Sequence, residues 1–196
     1  MSEPIRLLAF AGSLRAGSLN RKLIRTLEAG ASAAGAEVTH LELRDCPLPI
    51  YDGDIEAAGM PETVRRLQQM MRDHDGLLIS TPEYNGSMPA LVKNTLDWIS
   101  RPMLDGRSGT ALFRGKVAGI CSASPGMLGG IRSLIVLRDA LAKLGLWVAP
   151  SQVALGNADS AFDANDELLD AKRREAVQAV ARETVRAAQA LLRPER

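Results

Sequence analysis

Residues 5–20 read IRLLAFAGSLRAGSLN and contain the clearest fold signal of the chain. Residues 5–11 are mostly apolar, which is typical of a strand buried on both faces of a sheet. Residues 12–18 form a loop of small residues, and residues 19–34 have the apolar spacing of a helix that ends at Gly35. This order predicts the first half of a βαβ unit.

The same alternation of strand and helix continues along the chain. Further strands are predicted at residues 36–43, 76–81, 116–123 and 146–155, and helices at residues 61–72, 89–100, 131–144 and 165–192. Residues 44–59 and 101–115 contain several prolines and glycines and are predicted to be loops. Five alternating units predict a single α/β domain over residues 1–196, with a doubly wound parallel sheet between two layers of helices. Ligands of such folds bind beyond the carboxyl ends of the strands.

Composition argues against several classes of partner. The 24 basic and 23 acidic residues give a net charge of +1, and only 4% of residues are aromatic, so neither a polyanion surface nor a base-stacking platform is expected. The apolar runs are strand-sized, the first residues do not resemble a signal peptide, and the two cysteines lack paired spacing. We therefore expect a cytoplasmic protein with reduced thiols and with no nucleic-acid or membrane partner.

The loop after the first strand is suited to a phosphate group. A helix start offers free backbone N–H groups and a favourable dipole, and Ser13, Ser18, Asn20 and Arg15 add polar or cationic side chains. The loop lacks the lysine of a Walker motif and the three glycines of a dinucleotide-binding motif. Two interpretations stay open from these residues alone: a cradle for one terminal phosphate, or simple capping of the helix.

Two more loops follow strands of the same predicted sheet. Residues 81–89, TPEYNGSMP, end the third strand, and residues 122–130, SASPGMLGG, end the fourth. The first, held between two prolines, can present fixed backbone groups to a flat heterocycle, and the glycines of the second allow a ligand to approach the backbone. Taken singly, each is equally compatible with a plain connector, but three such loops at one edge favour a binding site.

These motifs together resemble the NADPH-dependent FMN reductase family, which includes chromate and quinone reductases. The resemblance rests on GSLR at residues 12–15 with Ser18 and Asn20, on TPEYNGS at residues 81–87, and also on LPIYD at residues 48–52 and on residues 124–130. It implies a flavodoxin-like fold with strand order 2-1-3-4-5, tightly bound FMN, two-electron reduction by NADPH or NADH, and a homodimer or dimer of dimers (a homotetramer). The acceptor it implies is a quinone, chromate or another metal oxyanion, an azo compound or free flavin.

The resemblance also assigns roles to residues. The FMN phosphate would be held by Ser13, Arg15, Ser18, Leu19 and Asn20, and the isoalloxazine ring by Pro82, Glu83, Tyr84, Asn85 and Gly86, with Ser122, Ala123 and Ser124 approaching from the fourth strand. Arg101, which would lie near a site shared across a dimer interface, and Gly126 are the candidate substrate contacts. No side chain is expected to be catalytic, because the flavin itself carries the hydride.

Other polar residues are expected to have plainer roles. His40 and His74 lack metal-ligand spacing, no serine has an evident base, and the acidic residues between 45 and 56 suit a solvated loop better than a cation site. Cys121 is expected in the core and Cys46 to be more exposed. The alternative hypothesis for function is a flavodoxin-type electron carrier, although such carriers are typically acidic and hold the flavin between aromatic side chains.

Overall fold

The computed structural model describes residues 3–191. Its strands are β1 (Arg6–Ala11), β2 (Glu37–Leu41), β3 (Gly76–Ser80), β4 (Val117–Ala123) and β5 (Trp147–Leu155). Its helices are α1 (Leu19–Ala33), α2 (Gly53–Ala58), α3 (Glu62–Asp73), α4 (Ala90–Ile99), α5 (Ile131–Leu144) and α6 (Ala171–Leu191). Short 3₁₀ turns occur at Leu43–Asp45, Gly109–Leu112 and Ala158–Ser160.

The five strands form one parallel sheet in the order β2-β1-β3-β4-β5. This confirms the predicted flavodoxin-like, doubly wound topology. The chain moves outward from β1 to β2, then crosses back to β3 and continues in the other direction. The order therefore reverses between β1 and β3, and a crevice is expected beyond the carboxyl ends of these two strands.

The sheet separates two apolar cores. Leu7 and Ala9 of β1 face α1 and α6, whereas Leu8 and Phe10 face the side of α3, α4 and α5. Because both faces of β1 are covered, nearly all of its side chains are buried, as its continuous apolar sequence predicts. No helix within residues 3–191 combines the length and the apolar character needed to cross a membrane.

The segment predicted as a loop at residues 44–59 contains a helix. In α2, the side chain of Asp52 caps the first turn by accepting a hydrogen bond from the backbone N–H of Asp54, at 2.8 Å. None of the α2 residues is buried, so the helix has no apolar periodicity to reveal it. In the same segment Cys46 is buried rather than exposed, and its burial raises the pKa of its thiol.

The last helix begins later than predicted, at Ala171 rather than Asn165. The carboxylate of Asp163 accepts the N–H groups of Asn165 and Glu167, which makes a local turn, and Asp166 has a positive φ of 65°. Asp170 then caps α6 by accepting the N–H groups of Lys172 and Arg173. The predicted end at Leu192 lies outside the described residues.

The outer strand β5 contains an irregularity that one arginine stabilises. The register between β4 and β5 shifts between Ala118 and Ile120. On the β5 side, the guanidinium of Arg138 in α5 donates to the carbonyl oxygen of Ala149 at 2.8 Å and to those of Val148 and Pro150 at 3.4 Å. The bulge is therefore fixed by a charged side chain from the adjacent helix.

Candidate active site at the carboxyl edge of the sheet

Three loops meet where β1, β3 and β4 end. The backbone N–H of Gly12 donates to the carbonyl of Ser80 at 2.8 Å, and that of Thr81 donates to Cys121 at 2.9 Å. Likewise, the N–H of Ser124 donates to Leu155 at 3.1 Å. Each loop is thus tied to the neighbouring strand at its first residues, and the three predicted segments lie side by side at one edge.

The loop of residues 12–18 leaves one cation without a partner. Ser13 accepts a hydrogen bond from the N–H of Arg15 at 3.3 Å, and Ser18 caps α1 by accepting from the N–H of Arg21 at 3.4 Å. Both serines are buried, whereas residues 14–17 are exposed. The Arg15 guanidinium has no hydrogen-bond or ion-pair partner among residues 3–191. A cation without a partner and the N-terminus of a long helix both favour the binding of an anionic group.

Leu19 and Asn20 occupy the first turn of α1, below this loop. As the first helical residue, Leu19 has a backbone N–H without an intrahelical acceptor. The Asn20 amide instead holds the fold together. Its Oδ1 accepts from the Ser80 hydroxyl and the Ala123 N–H, and its Nδ2 donates to the Ala123 carbonyl, each at 2.9 Å. Asn20 is only 2% exposed and joins α1 to β3 and β4.

Arg44 is a residue of this edge that the sequence reasoning missed. Its Nη2 donates to the carbonyl of Leu14 in the exposed part of the loop. Its backbone N–H donates to Glu42 at 3.1 Å, and the same carboxylate pairs with Arg21 of α1. The end of β2 therefore supports the loop from the side. The available signal was that Arg44 directly follows the predicted second strand, which the expected strand order places beside the first; the contact itself joins residues 30 positions apart and has no local motif.

The loop after β3 contains a tight two-residue turn. Tyr84 and Ser87 exchange two backbone hydrogen bonds, at 3.0 and 3.1 Å, around Asn85 and Gly86, whose φ angles are 52° and 76°. Positive φ at both central positions defines a type I′ turn, for which Asn-Gly is the favoured pair. The turn leaves Tyr84 54% exposed, while Pro82 before it is buried. The backbone of Tyr84 is thereby fixed, and its aromatic side chain is accessible to a ligand.

Glu83 connects this loop to the start of α5. Its side chain is 12% exposed; one carboxylate oxygen accepts the backbone N–H of Arg132 at 3.0 Å, and the other lies 2.9 Å from Arg132 Nε. A carboxylate at the N-terminus of a helix is electrostatically favourable. This contact was also missed from the sequence, because the two residues are 49 positions apart.

The loop after β4 is shaped mainly by its backbone. Ser124 Oγ accepts the N–H of Gly126 at 3.2 Å, and the Gly126 carbonyl accepts the N–H groups of Gly129 and Asn157 at 3.1 and 3.3 Å. Gly129 has a φ of 62°, and a Cβ there would lie 2.4 Å from the carbonyl carbon of Ala154. Only glycine fits this position without a shift of the neighbouring backbone.

A cleft of about 240 Å³ separates the loop after β3 from the loop after β4. Met127 and Leu128 are exposed at its rim, with Met127 82% exposed. Ser122 lies below the floor, fully buried, and its Oγ has no hydrogen-bond partner among residues 3–191. The lining residues are Glu83, Ser124, Gly126, Met127, Leu128, Gly129, Gly130 and Arg132.

Arg101 is the sequence-predicted residue that the structure does not bring to this edge. It follows α4, and ten helical residues rise about 15 Å from the start of that helix at the loop after β3. Its guanidinium lies 5.1 Å from the centre of the Tyr51 ring and donates to the carbonyl of Asp97 at 3.1 Å. Gly126, the other candidate substrate contact, does line the cleft.

Titratable groups elsewhere have structural partners. His40 pairs with Glu28, Asp52 caps α2, and Glu56 accepts the hydroxyl of Tyr51 at 2.8 Å. Cys121 is fully buried in β4, and burial raises the pKa of its thiol to about 12. Within residues 3–191, no three His, Cys, Asp or Glu side chains form a metal-binding group.

These features fit the parts of a flavin mononucleotide. The loop of residues 12–18 offers hydroxyls, helix N–H groups and an unpaired Arg15 for a terminal phosphate. Next to it, Glu83 of the loop after β3 and the glycine-rich loop after β4 border a cleft with an apolar rim, which suits a flat ring. A mononucleotide needs both parts at one edge of the sheet, and this edge provides both.

Comparisons with known proteins agree with this geometry. The family model described as NADPH-dependent FMN reductase matches residues 5–160. The chain is 38% identical to an NAD(P)H-dependent FMN reductase of Pseudomonas aeruginosa, over 91% of this chain and 92% of the relative, and 36% identical to a quinone reductase of Pseudomonas putida, over 88% and 89%. Among solved structures, it is similar to the flavoenzyme FerB, an NAD(P)H:(acceptor) oxidoreductase from Paracoccus denitrificans. The TM-score is 0.81 at 29% identity, covering 95% of this chain and 98% of that one.

Proposed function

Because the chain belongs to the NADPH-dependent FMN reductase family, we propose that it oxidises NADPH or NADH and passes two electrons to a quinone. It is a reductase of this family with FMN as its cofactor. The observation that supports the rest of the proposal is the meeting of an unpaired cation, an exposed aromatic turn and an open cleft at one edge of the sheet.

The FMN phosphate would be bound by the loop of residues 12–18. In this proposal Arg15 supplies the charge, and the remaining donors are the hydroxyls of Ser13 and Ser18 and the free N–H groups around Leu19. Asn20 acts below the loop, where its amide fixes the position of α1 against β3 and β4. This role is supportive, since only one of its amide hydrogens is left for a ligand.

The ring would rest against the loops after β3 and β4. The tight turn at Asn85 and Gly86 fixes the backbone of Tyr84, and the residues from Pro82 to Gly86 would offer backbone donors and acceptors to the polar edge of a flavin. Ser124 approaches from the other side of the cleft, with Ala123 before it in β4. Ser122 would support the floor of the cleft and would not contact the ring, because its side chain is fully buried.

Bound FMN would supply the hydride-transfer chemistry, and the proton that completes reduction of a quinone to a hydroquinone would come from solvent at the open face, so no side-chain acid or base is required. The chain must hold the reacting rings about 3–3.5 Å apart and leave one face open. The open cleft is suited to this requirement, because Met127 and Leu128 at its rim are exposed. Nucleotide and acceptor would use the same face in turn, and ping-pong kinetics are expected.

A quinone is the acceptor that the cleft suits best. Met127 and Leu128 give it an exposed apolar rim, and the exposed Tyr84 directly follows Glu83 of its wall, which matches a flat and uncharged molecule. A relative of 36% identity is named a quinone reductase, which supports the same class. Chromate, azo compounds and free flavin are the competing acceptors. Steady-state kinetics with all four classes should give the highest kcat/KM for quinones, and a clear preference for an anionic acceptor would overturn the assignment.

One experiment separates the enzyme from an electron carrier. The purified protein is loaded with FMN and mixed with NADPH under anaerobic conditions, without a partner reductase. Rapid bleaching of the visible flavin band is expected for the enzyme. A yellow protein that stays yellow would indicate a carrier, and a protein that cannot take up FMN would contradict the cofactor site.

We further propose a homodimer or a dimer of dimers in which Arg101 serves the cleft of a second subunit. Within its own chain, Arg101 lies about 15 Å beyond the start of α4, so only another copy can use it at the cleft. Light scattering should give a mass of two or four chains. Arg101→Ala and Arg15→Ala chains are mixed at an FMN concentration that fills only the unchanged phosphate cradle. One working site per heterodimer should be restored, and no restoration would contradict sharing.

We also propose that residues 1–196 act as one domain and that the protein works in the cytoplasm. The single five-stranded sheet supports the first statement. The two free, buried cysteines support the second, because they suit a reducing compartment. Co-fractionation of the protein with cytoplasmic markers tests the compartment, and one cooperative unfolding transition tests the domain.

A further inference from the structure

The wall of the cleft contains one basic side chain with free donors. Arg132 is the second residue of α5, lines the cleft and is 59% exposed. Its backbone N–H and its Nε are both directed at Glu83. Its two Nη groups make no hydrogen bond within residues 3–191, so the outer edge of the guanidinium is available to a ligand.

We infer that Arg132 binds the phosphate groups of the nicotinamide nucleotide and that Glu83 is its positioning residue. The inference rests on the proposed function and extends it to the second substrate. A guanidinium is planar and can bind two anions along different edges. With the Nε side held by Glu83, the Nη side keeps a fixed direction toward the open cleft.

The shape of the nucleotide explains why phosphates should reach this residue. For reaction, the nicotinamide ring must lie flat against the flavin in the cleft, and the rest of the nucleotide must leave over the rim. Its pyrophosphate is the nearest charged part. Of the residues that line the cleft, Arg132 alone carries a positive charge, and it stands in the first turn of a 14-residue helix, whose dipole adds to the attraction.

Glu83 is well placed to orient Arg132 and poorly placed to bind the nucleotide itself. Its carboxylate is largely buried and both oxygens are engaged by Arg132. Without this contact the arginine side chain could adopt many rotamers, and it would lose that freedom on binding. Glu83 therefore acts through Arg132 rather than on the ligand.

The test measures binding to the FMN-loaded protein by calorimetry, with NADP⁺, NAD⁺ and phosphate-free nicotinamide riboside as probes. In Arg132→Ala, the Kd of both nucleotides should rise roughly tenfold, as loss of a hydrogen-bonded charge at a partly exposed site predicts. The Kd of nicotinamide riboside should not change. Arg132→Lys should restore part of the nucleotide affinity, because it keeps the charge but not the fork of donors.

A matched control removes the same charge from the other end of α5. Lys143→Ala lies in the last turn of the helix, away from the cleft, and should leave all three Kd values unchanged. Glu83→Gln should weaken nucleotide binding less than Arg132→Ala, and the double variant should be no worse than Arg132→Ala alone, since both changes act through one contact.

The remaining outcomes distinguish a failure of this inference from a failure of the proposed function. If Arg132→Ala binds the nucleotides as tightly as the unchanged protein, or loses riboside and nucleotide equally, the inference is wrong while the proposed function stands. If the unchanged protein takes up FMN but is not bleached by NADPH, the proposed function fails instead. A nucleotide KM that rises with ionic strength in the unchanged protein, and less steeply in Arg132→Ala, would support the phosphate contact.

Discussion

The loops after β1 and β4 both lead from a buried strand into a helix, yet they are built differently. Residues 12–18 carry their chemistry on side chains: two serines and an arginine whose charge is unpaired within residues 3–191. In residues 124–130, by contrast, the groups available to a ligand belong to the backbone. This backbone is held by hydrogen bonds to Gly126 and by the close approach of Gly129 to Ala154. A phosphate needs charge, whereas a flat ring needs a surface of fixed shape.

This difference predicts which property of the protein a substitution in each loop should change. Side chains in the first loop should control ligand affinity and have little effect on the stability of the protein. Backbone positions in the second loop should control stability and, through it, the shape of the cleft. Substitutions in the two loops can therefore test this division.

Gly129→Ala should destabilise the protein strongly. The added Cβ would lie 2.4 Å from the Ala154 carbonyl carbon, at a φ of 62° that alanine adopts with strain. We expect a loss of about 3 kcal/mol in the free energy of unfolding, measured by urea denaturation. Gly17→Ala is the matched control in the first loop, because a Cβ there meets nothing within 4 Å. Its effect should stay within about 1 kcal/mol. Equal losses of unfolding free energy in the two variants would contradict the proposed difference between the two loops.

Arg15→Ala should act on the ligand rather than on the fold. A hydrogen bond to a charged group contributes about 1.5–3 kcal/mol, so the Kd for FMN should rise roughly 10- to 150-fold in a fluorescence titration. The free energy of unfolding of the FMN-free protein should change by less than about 0.5 kcal/mol. Arg25→Ala removes the same charge from an exposed position of α1, where it pairs with Asp166, and should bind FMN normally. Full affinity in Arg15→Ala would refute the phosphate assignment.

Arg44→Ala tests whether the first loop also depends on its surroundings. Loss of its bond to the Leu14 carbonyl should cost about 0.5–1 kcal/mol of FMN affinity, which corresponds to a 2- to 5-fold rise in Kd. Hydrogen exchange of the amides in residues 14–17 should become faster in the FMN-free protein. If exchange is unchanged, the loop holds its shape without help from the end of β2.

The smallest effect concerns the strand that leads into the second loop. The pKa of Cys121 is raised by burial to about 12, so a thiol reagent should not label it in the native protein at pH 8. It should react after denaturation, and it should become reactive in native Gly129→Ala if that variant loosens the end of β4.

Because the folded pKa lies above the ordinary value of 9.0, Cys121 lowers the free energy of unfolding only as pH rises above 9.

The sequence was sufficient to predict the elements that have a continuous apolar run or a strong helical periodicity. β1, β3 and α5 are fully covered or amphipathic, and their predicted bounds agree with the structure to within a residue. The helix α2 and the start of α6 were missed for a physical reason. No residue of α2 is buried, and the segment before α6 is shaped by Asp163 and Asp170, whose side chains cap local turns.

The candidate site likewise contains residues that the sequence predicted and residues that it did not. Ser13, Arg15 and Tyr84 were predicted because local motifs contain them, and the structure gathers their loops at one edge. Arg44 and Arg132 were missed because their contacts join residues 30 and 49 positions apart. For the same reason the sequence could not show that the Asn20 amide is taken up by Ser80 and Ala123.

The arginine-fixed bulge in β5 has a consequence for how copies of the chain can associate. A regular outer strand would offer a continuous row of N–H and C=O groups on which a foreign strand could grow. Here Pro150 has no N–H to give, and Arg138 occupies the carbonyl oxygens of Val148, Ala149 and Pro150. Addition of a foreign strand along β5 is thereby discouraged, whereas β2, the other outer strand of the sheet, has no such arginine-held bulge.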